Sequence, residues 1–139
     1  MNYFTRVQNE FTEISEEEQV KKLPDYGKLY MKNILEYSYK NLSGMKLLLS
    51  ASAGTRYEDF MHQIVEIEIE STHNFMKALK NMGRPVHDFN SYFEHTIVSG
   101  MFTAYFELII HDVPYEEAKK CSEEILKFYS AGWAACMEL

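Results

Sequence analysis

Glu70-Ser71-Thr72-His73 is a Glu-x-x-His, the spacing with which one helix offers a carboxylate and an imidazole to a di-iron centre. His62 stands four residues before Glu66, which puts those two side chains on one helix face as well. A di-iron carboxylate bundle takes two Glu-x-x-His motifs on different helices plus two further glutamates, and here the second motif is absent. At helical phase His62, Glu66, Glu70 and His73 also project about 100–180° away from the apolar stripe of Met61, Ile64 and Phe75. They read as a solvated flank, so neither a metal nor any other cofactor is expected. Glu107 and His111 form another i,i+4 pair, read as a contact within or between helices. Nucleophilic chemistry finds no G-x-S-x-G elbow, no Gly-rich phosphate loop and no C-x-x-C. Cys121 and Cys136 phase onto the apolar face of the last helix, where a thiol is inert packing. No catalytic residue emerges, and the chain reads as a non-enzyme.

Glu68 is the carboxylate that asks for an explanation. It falls in the middle of an apolar stripe, where a charge costs several kcal/mol unless it is paired or neutralised. Two readings stand side by side: a partner from a facing helix (a Tyr hydroxyl, Lys or Arg), or a polar anchor, with Thr72 beside it, in the wall of a ligand cavity.

The elements that must position these groups are helices. A weak segment at 3–14 precedes Ser15-Glu16-Glu17-Glu18, a capping box opening a short turn that ends at Pro24. Residues 25–42 place Tyr30, Ile34, Tyr37 and Asn41 on one face, with Lys28, Lys32, Glu36 and Lys40 pointing elsewhere. Gly44 interrupts, and 45–53 makes a short apolar helix closed by Gly54. Residues 56–82 form the longest helix, ended by Gly83-Arg84-Pro85; Val65 to Ile69 alternates like a strand, but the helical stripe around it is longer. The segment 89–111 is apolar nearly all round, as in a helix that buries several faces. Pro114 opens the last helix, with Glu116 and Glu117 at its positive end. The expectation is an all-α bundle of five to six helices, with 1–24 as a helical lead-in and 25–139 as the main domain.

Composition narrows the function. The 139 residues carry 21 acidic against 14 basic side chains, a net charge of −7. Only Lys21-Lys22 and Lys119-Lys120 are adjacent basic pairs, so no stripe tracks phosphates and direct nucleic-acid binding is not expected. The most apolar run, Ile97 to Ile110, is about 14 residues and contains Glu107, short of the roughly 20 that a membrane span needs. The first residues lack the n- and h-regions of a signal peptide, and the two cysteines lie too far apart on one helix to bridge. A cytoplasmic location is the expectation. Ten Tyr, nine Phe, one Trp and eight Met suit either a core of large side chains or an adaptable pocket.

The stretch Phe102 to Ala134 (FTAYFELIIHDVPYEEAKKCSEEILKFYSAGWA) has a bulky helix ending in His-Asp, a Pro-led turn with Glu-Glu-Ala, and a Phe-Tyr-x-x-Gly-Trp ending. It resembles the closing two helices of the TetR/AcrR transcriptional regulators. Lys46-Leu47-Leu48-Leu49 with Gly54-Thr55 and the following long helix is similar to that family's regulatory core. The resemblance covers about 25–139.

It implies a domain that senses a small molecule and forms a homodimer, from a repressor whose helix-turn-helix is missing from this chain; DNA would be reached only through that missing part. The implied pocket draws Tyr30, Ile34 and Tyr37 from the first long helix, and Met61, Ile64, Glu68 and Thr72 from the next. Phe93, Met101 and Tyr105 complete it. The implied dimer interface takes Gly100 and Phe106 from the 95–111 helix. It takes Ile125, Phe128, Tyr129, Gly132, Trp133 and Cys136 from the last. An apolar or aromatic effector is favoured by such a lining, and Glu68 would tilt it towards a cation. The alternatives are a metal-carboxylate bundle protein and a helical adaptor without a small-molecule site.

Overall fold

The computed structural model describes residues 15–50 and 55–137, and these are all-α: among them there are five helices and no strand. They are α1 (Glu16–Lys40), α2 (Leu42–Ser50), α3 (Thr55–Asn81), α4 (Ser91–Ile110) and α5 (Tyr115–Met137). The expected segment at 3–14 and the Gly54 stop lie outside the described residues. Among the described residues no helix is long and apolar enough to cross a membrane.

Local chemistry sets most boundaries. Ser15 caps α1, its side chain accepting from the Glu18 amide at 3.3 Å. The helix then runs through Pro24 to Lys40, where the sequence reading had a turn ending at that proline. The break that follows is at Asn41 and not at Gly44, which lies inside α2. Asn41 leaves helical geometry at φ −117° and ψ 39°, and its Nδ2 donates to the Tyr37 carbonyl at 2.9 Å. Its own carbonyl takes the first bond of α2, from the Met45 amide at 2.9 Å. The strand-like Val65–Ile69 is helical throughout.

α3 and α4 end in the same way. Gly83 has φ +75°, and the Arg84 amide reaches back to the Leu79 carbonyl at 3.0 Å. After α4, Asp112 takes φ +57° and Val113 donates to Leu108 at 3.0 Å. Proline follows each turn, at Pro85 and Pro114. Asn90 caps α4 by accepting from the Tyr92 amide at 2.8 Å.

α4 is the hub. It packs against all four other helices, which is why its apolar residues run round the whole circumference. Phe102, Tyr105, Phe106 and Ile109 are all within 2 % of complete burial. They join Ile34, Met45, Ile64 and Val65 in the main core. Phe106 is therefore inside the subunit, stacked near Phe102 and Phe60, and cannot form the dimer surface the resemblance assigned it. α5 lies antiparallel to α4, as the order of contacts shows: Trp133 meets Phe93, Tyr105 meets Ser122, and Leu108 clusters with Ala118. Gly100 spends its small size within the subunit too, since a Cβ there would stand 3.2 Å from the Tyr129 hydroxyl.

Candidate functional site

Among the described residues α3 and α5 each pack on α1 and on α4 but not on each other. The gap between them is a cavity of about 1110 Å³, slightly above the roughly 300–1,000 Å³ common for small-molecule sites. Its apolar walls are Met31 and Leu35 of α1, Phe75 of α3, Met101 of α4, and Leu126, Trp133 and Met137 of α5. Glu68, Ser71, Thr72, Ser122 and Ser130 add polar points to that lining.

Four of the ten expected pocket residues line this space: Glu68, Thr72, Met101 and Tyr105. The others do not. Tyr30 and Ile34 are buried in the core, and Tyr37 is 50 % exposed. Ile64 is fully buried one turn before Glu68, and Met61 packs against the core beside it. The α3 stripe is thus continuous, but the cavity opens only along its C-terminal half, while the N-terminal half packs solidly. Phe93 stacks with Phe89 at 5.7 Å and meets Trp133 edge-on, outside the cavity lining.

On α1 the cavity faces the side that the sequence reading turned outwards. Lys28 and Lys32 line it together with Leu29, Met31 and Leu35. The residues expected at a dimer interface on α5 fall into two groups. Tyr129 and Trp133, expected at a dimer interface, line the cavity, and Ile125 packs into the subunit core. Phe128 is 76 % exposed, and Gly132 and Cys136 are exposed with it. Cys136 lies nearly one turn beyond the Phe89–Phe93–Trp133 cluster, so the inert packing expected of both thiols holds only for half-buried Cys121.

Burial pushes the Glu68 carboxyl up to about 7. The residue as a whole is only half-buried, because one side of it borders the cavity while protein atoms surround the rest. Thr72 does not bond the carboxylate: its hydroxyl turns back to the Glu68 carbonyl at 3.0 Å, four residues earlier. Across the cavity Tyr105 donates to the Ser122 carbonyl at 3.2 Å, and burial pushes its phenol above the ordinary value, with nearby Cys121 adding to this. Lys119 is held to Glu116 at 2.9 Å and sits 4.9 Å from the Tyr115 ring centre. That hydrogen bond is the main reason its ammonium is raised.

No protein-family model, no curated protein and no solved structure matches the chain.

The residues that first suggested metal chemistry are dispersed. His62, Glu66 and Glu70 are exposed on α3, as the phase of that helix requires. His73 leaves them for another helix, its Nε2 lying 2.6 Å from the Glu94 carboxylate of α4. Glu94 is only 6 % exposed, and nothing in the sequence pointed to it except its position among bulky neighbours early in α4. Glu107 and His111 meet at 2.6 Å within one chain turn, the local contact their spacing suggests. Among the described residues no three His, Cys, Asp or Glu side chains gather as a metal site would require.

Proposed function

We propose that this chain is the ligand-sensing and dimerising domain of a TetR-like transcriptional regulator, a non-enzyme that binds a small effector in the cavity between α3 and α5. The observation that carries this reading is the cavity itself: about 1110 Å³, with Phe75, Met101, Leu126 and Trp133 as apolar walls and charged and hydroxyl side chains around them. A small amphiphilic or apolar molecule placed there would take that shared apolar surface out of water. The effector signal would pass to DNA through a helix-turn-helix outside these residues, and the cytoplasm is the matching compartment.

The second half of the proposal concerns the outer face of α5. Phe128 is 76 % exposed, with Ala131, Gly132 and Ala135 exposed beside it. Nothing lies within 4 Å of a Cβ placed on Gly132, so its small size has no use inside the subunit. A large aromatic ring flanked by small residues suits close packing against a second copy across a two-fold axis. The interface is thus proposed around Phe128 and Gly132, with Cys136 at its end, and without Phe106 or Trp133.

Native mass spectrometry tests both halves at once. The expected result is a species of twice the chain mass, with an additional few hundred daltons per subunit where a resident ligand survives purification. A bare monomer at micromolar concentration would remove the dimer from the proposal. Failure of every amphiphilic or aromatic compound in a broad thermal-shift screen would remove the sensor.

A further inference from the structure

The cavity has a charge pattern opposite to that of the chain. Four of the 14 basic residues line it, Lys28, Lys32, Lys119 and Lys127, against two of the 21 acidic ones, Glu68 and Glu123. In a protein of net charge −7 this places cations where ions of the other sign dominate the remaining surface. Lys28 and Lys32 are one helical turn apart on α1, and Lys119 and Lys127 are two turns apart on α5. Because α1 and α5 pack on each other, the two lysine pairs flank one cavity from adjoining walls. Lys28, Lys32 and Lys127 are exposed, which sets them at the mouth; Leu29, 54 % exposed, adds an apolar side chain among them. Glu123 stands four residues from both Lys119 and Lys127, and Lys119 is also engaged by Glu116, so Lys28, Lys32 and Lys127 are the cations best placed to meet an incoming anion.

We infer that the cavity takes an anionic amphiphile, a carboxylate or phosphate head on an apolar body, with the head among Lys28, Lys32 and Lys127 and the body along Phe75, Met101, Leu126 and Trp133. The inference rests on the ligand-cavity reading above and names its ligand class. It reverses the expectation that Glu68 would select a cation. Glu68 is a single carboxylate in a lining that carries four lysines, and burial raises its pKa and so favours its neutral form. The apolar walls exclude a purely polar anion, which would gain nothing from them.

Trp133 is the chain's single tryptophan and lines the cavity, so its emission reports occupancy directly. The probes are dodecanoate, dodecyl phosphate, dodecanol and dodecyltrimethylammonium, each below its micelle concentration, at pH 7 and low salt. Both anions are expected to bind at least about tenfold more tightly than dodecanol, with the ammonium weakest; the tighter anion identifies the head group. Shortening dodecanoate by two methylenes should weaken it by about tenfold. The double variant Lys32→Gln with Lys127→Gln changes two exposed side chains. It should keep the wild-type circular dichroism and the dodecanol affinity while losing the preference for anions. Tightest binding by the ammonium, equal binding by all head groups, or an unaltered preference in the double variant would overturn the anion assignment and leave the cavity reading standing. Binding of none of the four would overturn both.

Discussion

Replacing Glu68 with Gln should stabilise the protein, by an amount that grows as pH rises above about 4.5. Burial raises the folded carboxyl from 4.5 to about 7. A raised carboxylate means that the folded state holds its proton more tightly than the unfolded chain does. Below pH 4.5 both states are protonated and Glu68 costs nothing. As pH rises from 4.5 to 7 the unfolded chain ionises first, and stability falls; above 7 the loss is complete. Two and a half pKa units correspond to about 3.4 kcal/mol, and water in the adjoining cavity reduces this, so the expected gain from Gln is about 1–3 kcal/mol at pH 8. The groups that share the cavity with Glu68 are Lys28 and Lys32 of α1, Tyr105 of α4, and Tyr115, Lys119, Glu123, Lys127 and Tyr129 of α5. All of these are present in both proteins, so subtracting wild type from variant isolates residue 68. Urea unfolding of the pair at pH 4, 6 and 8 is the assay. A gain that is the same at pH 4 and pH 8, or a destabilised variant at pH 8, would refute the argument that desolvation dominates at this position.

Further outcomes follow from the backbone and from the two aromatic faces. Gly83→Ala should cost about 1–2 kcal/mol through its φ of +75° alone, since nothing lies within 4 Å of the new Cβ. Asp112→Gly works in the opposite direction at φ +57°, offset by loss of the exposed Lys46–Asp112 ion pair, for a net gain of under about 1.5 kcal/mol. Thermal melts of both variants decide it, and a destabilised Asp112→Gly would mean the ion pair outweighs the backbone. Phe106→Ala should destabilise the subunit by about 3–5 kcal/mol, as befits a ring 2 % exposed in the core. Phe128→Glu, at a position 76 % exposed, should leave the unfolding free energy of the subunit nearly unchanged while abolishing dimers in sedimentation. The reverse pattern for the pair would restore Phe106 to the interface.

Helix types and most helix ends were legible in the sequence because they depend on local chemistry. Ser15, Gly83 and Pro114 each act within a few residues of themselves, and the structure uses them as such. Pro24 was misread because a proline only raises the cost of continuing a helix. Asn41 was overlooked beside the more conspicuous Gly44, although an asparagine whose amide can bond the preceding turn is the better terminator. The cavity was half legible. Periodicity shows which residues of α3 and α4 turn inwards, hence Glu68, Thr72, Met101 and Tyr105. It does not show where an inward stripe meets solid packing and where it meets a gap, hence the failure of Ile64 and Met61. Lys28 and Lys32 were assigned to solvent on charge, yet a cavity mouth is also solvent. His73–Glu94 joins residues 21 positions apart on separate helices, and no spacing rule reaches that far.

The arrangement of α5 ties the two halves of the proposed function together. One face of this helix, with Ser122, Leu126, Tyr129 and Trp133, lines the cavity, and another, with Phe128 and Gly132, is exposed. Successive residues 128 and 129 thus belong to different surfaces of one rigid element. An effector that moves α5 relative to α3, which it does not touch directly, must move the proposed dimer face by a similar amount. Coupling of this kind is reciprocal: whatever factor the ligand applies to the dimer constant, dimerisation applies to the ligand constant. The expected outcome is a dimer dissociation constant that changes on saturation with dodecanoate, matched by an equal ratio between the dodecanoate affinities of wild type and of the monomeric Phe128→Glu variant. Sedimentation supplies the first number and Trp133 emission the second. A dimer constant indifferent to ligand would mean that α5 stays fixed while the cavity fills, and the signal would then have to leave through α1 or α3.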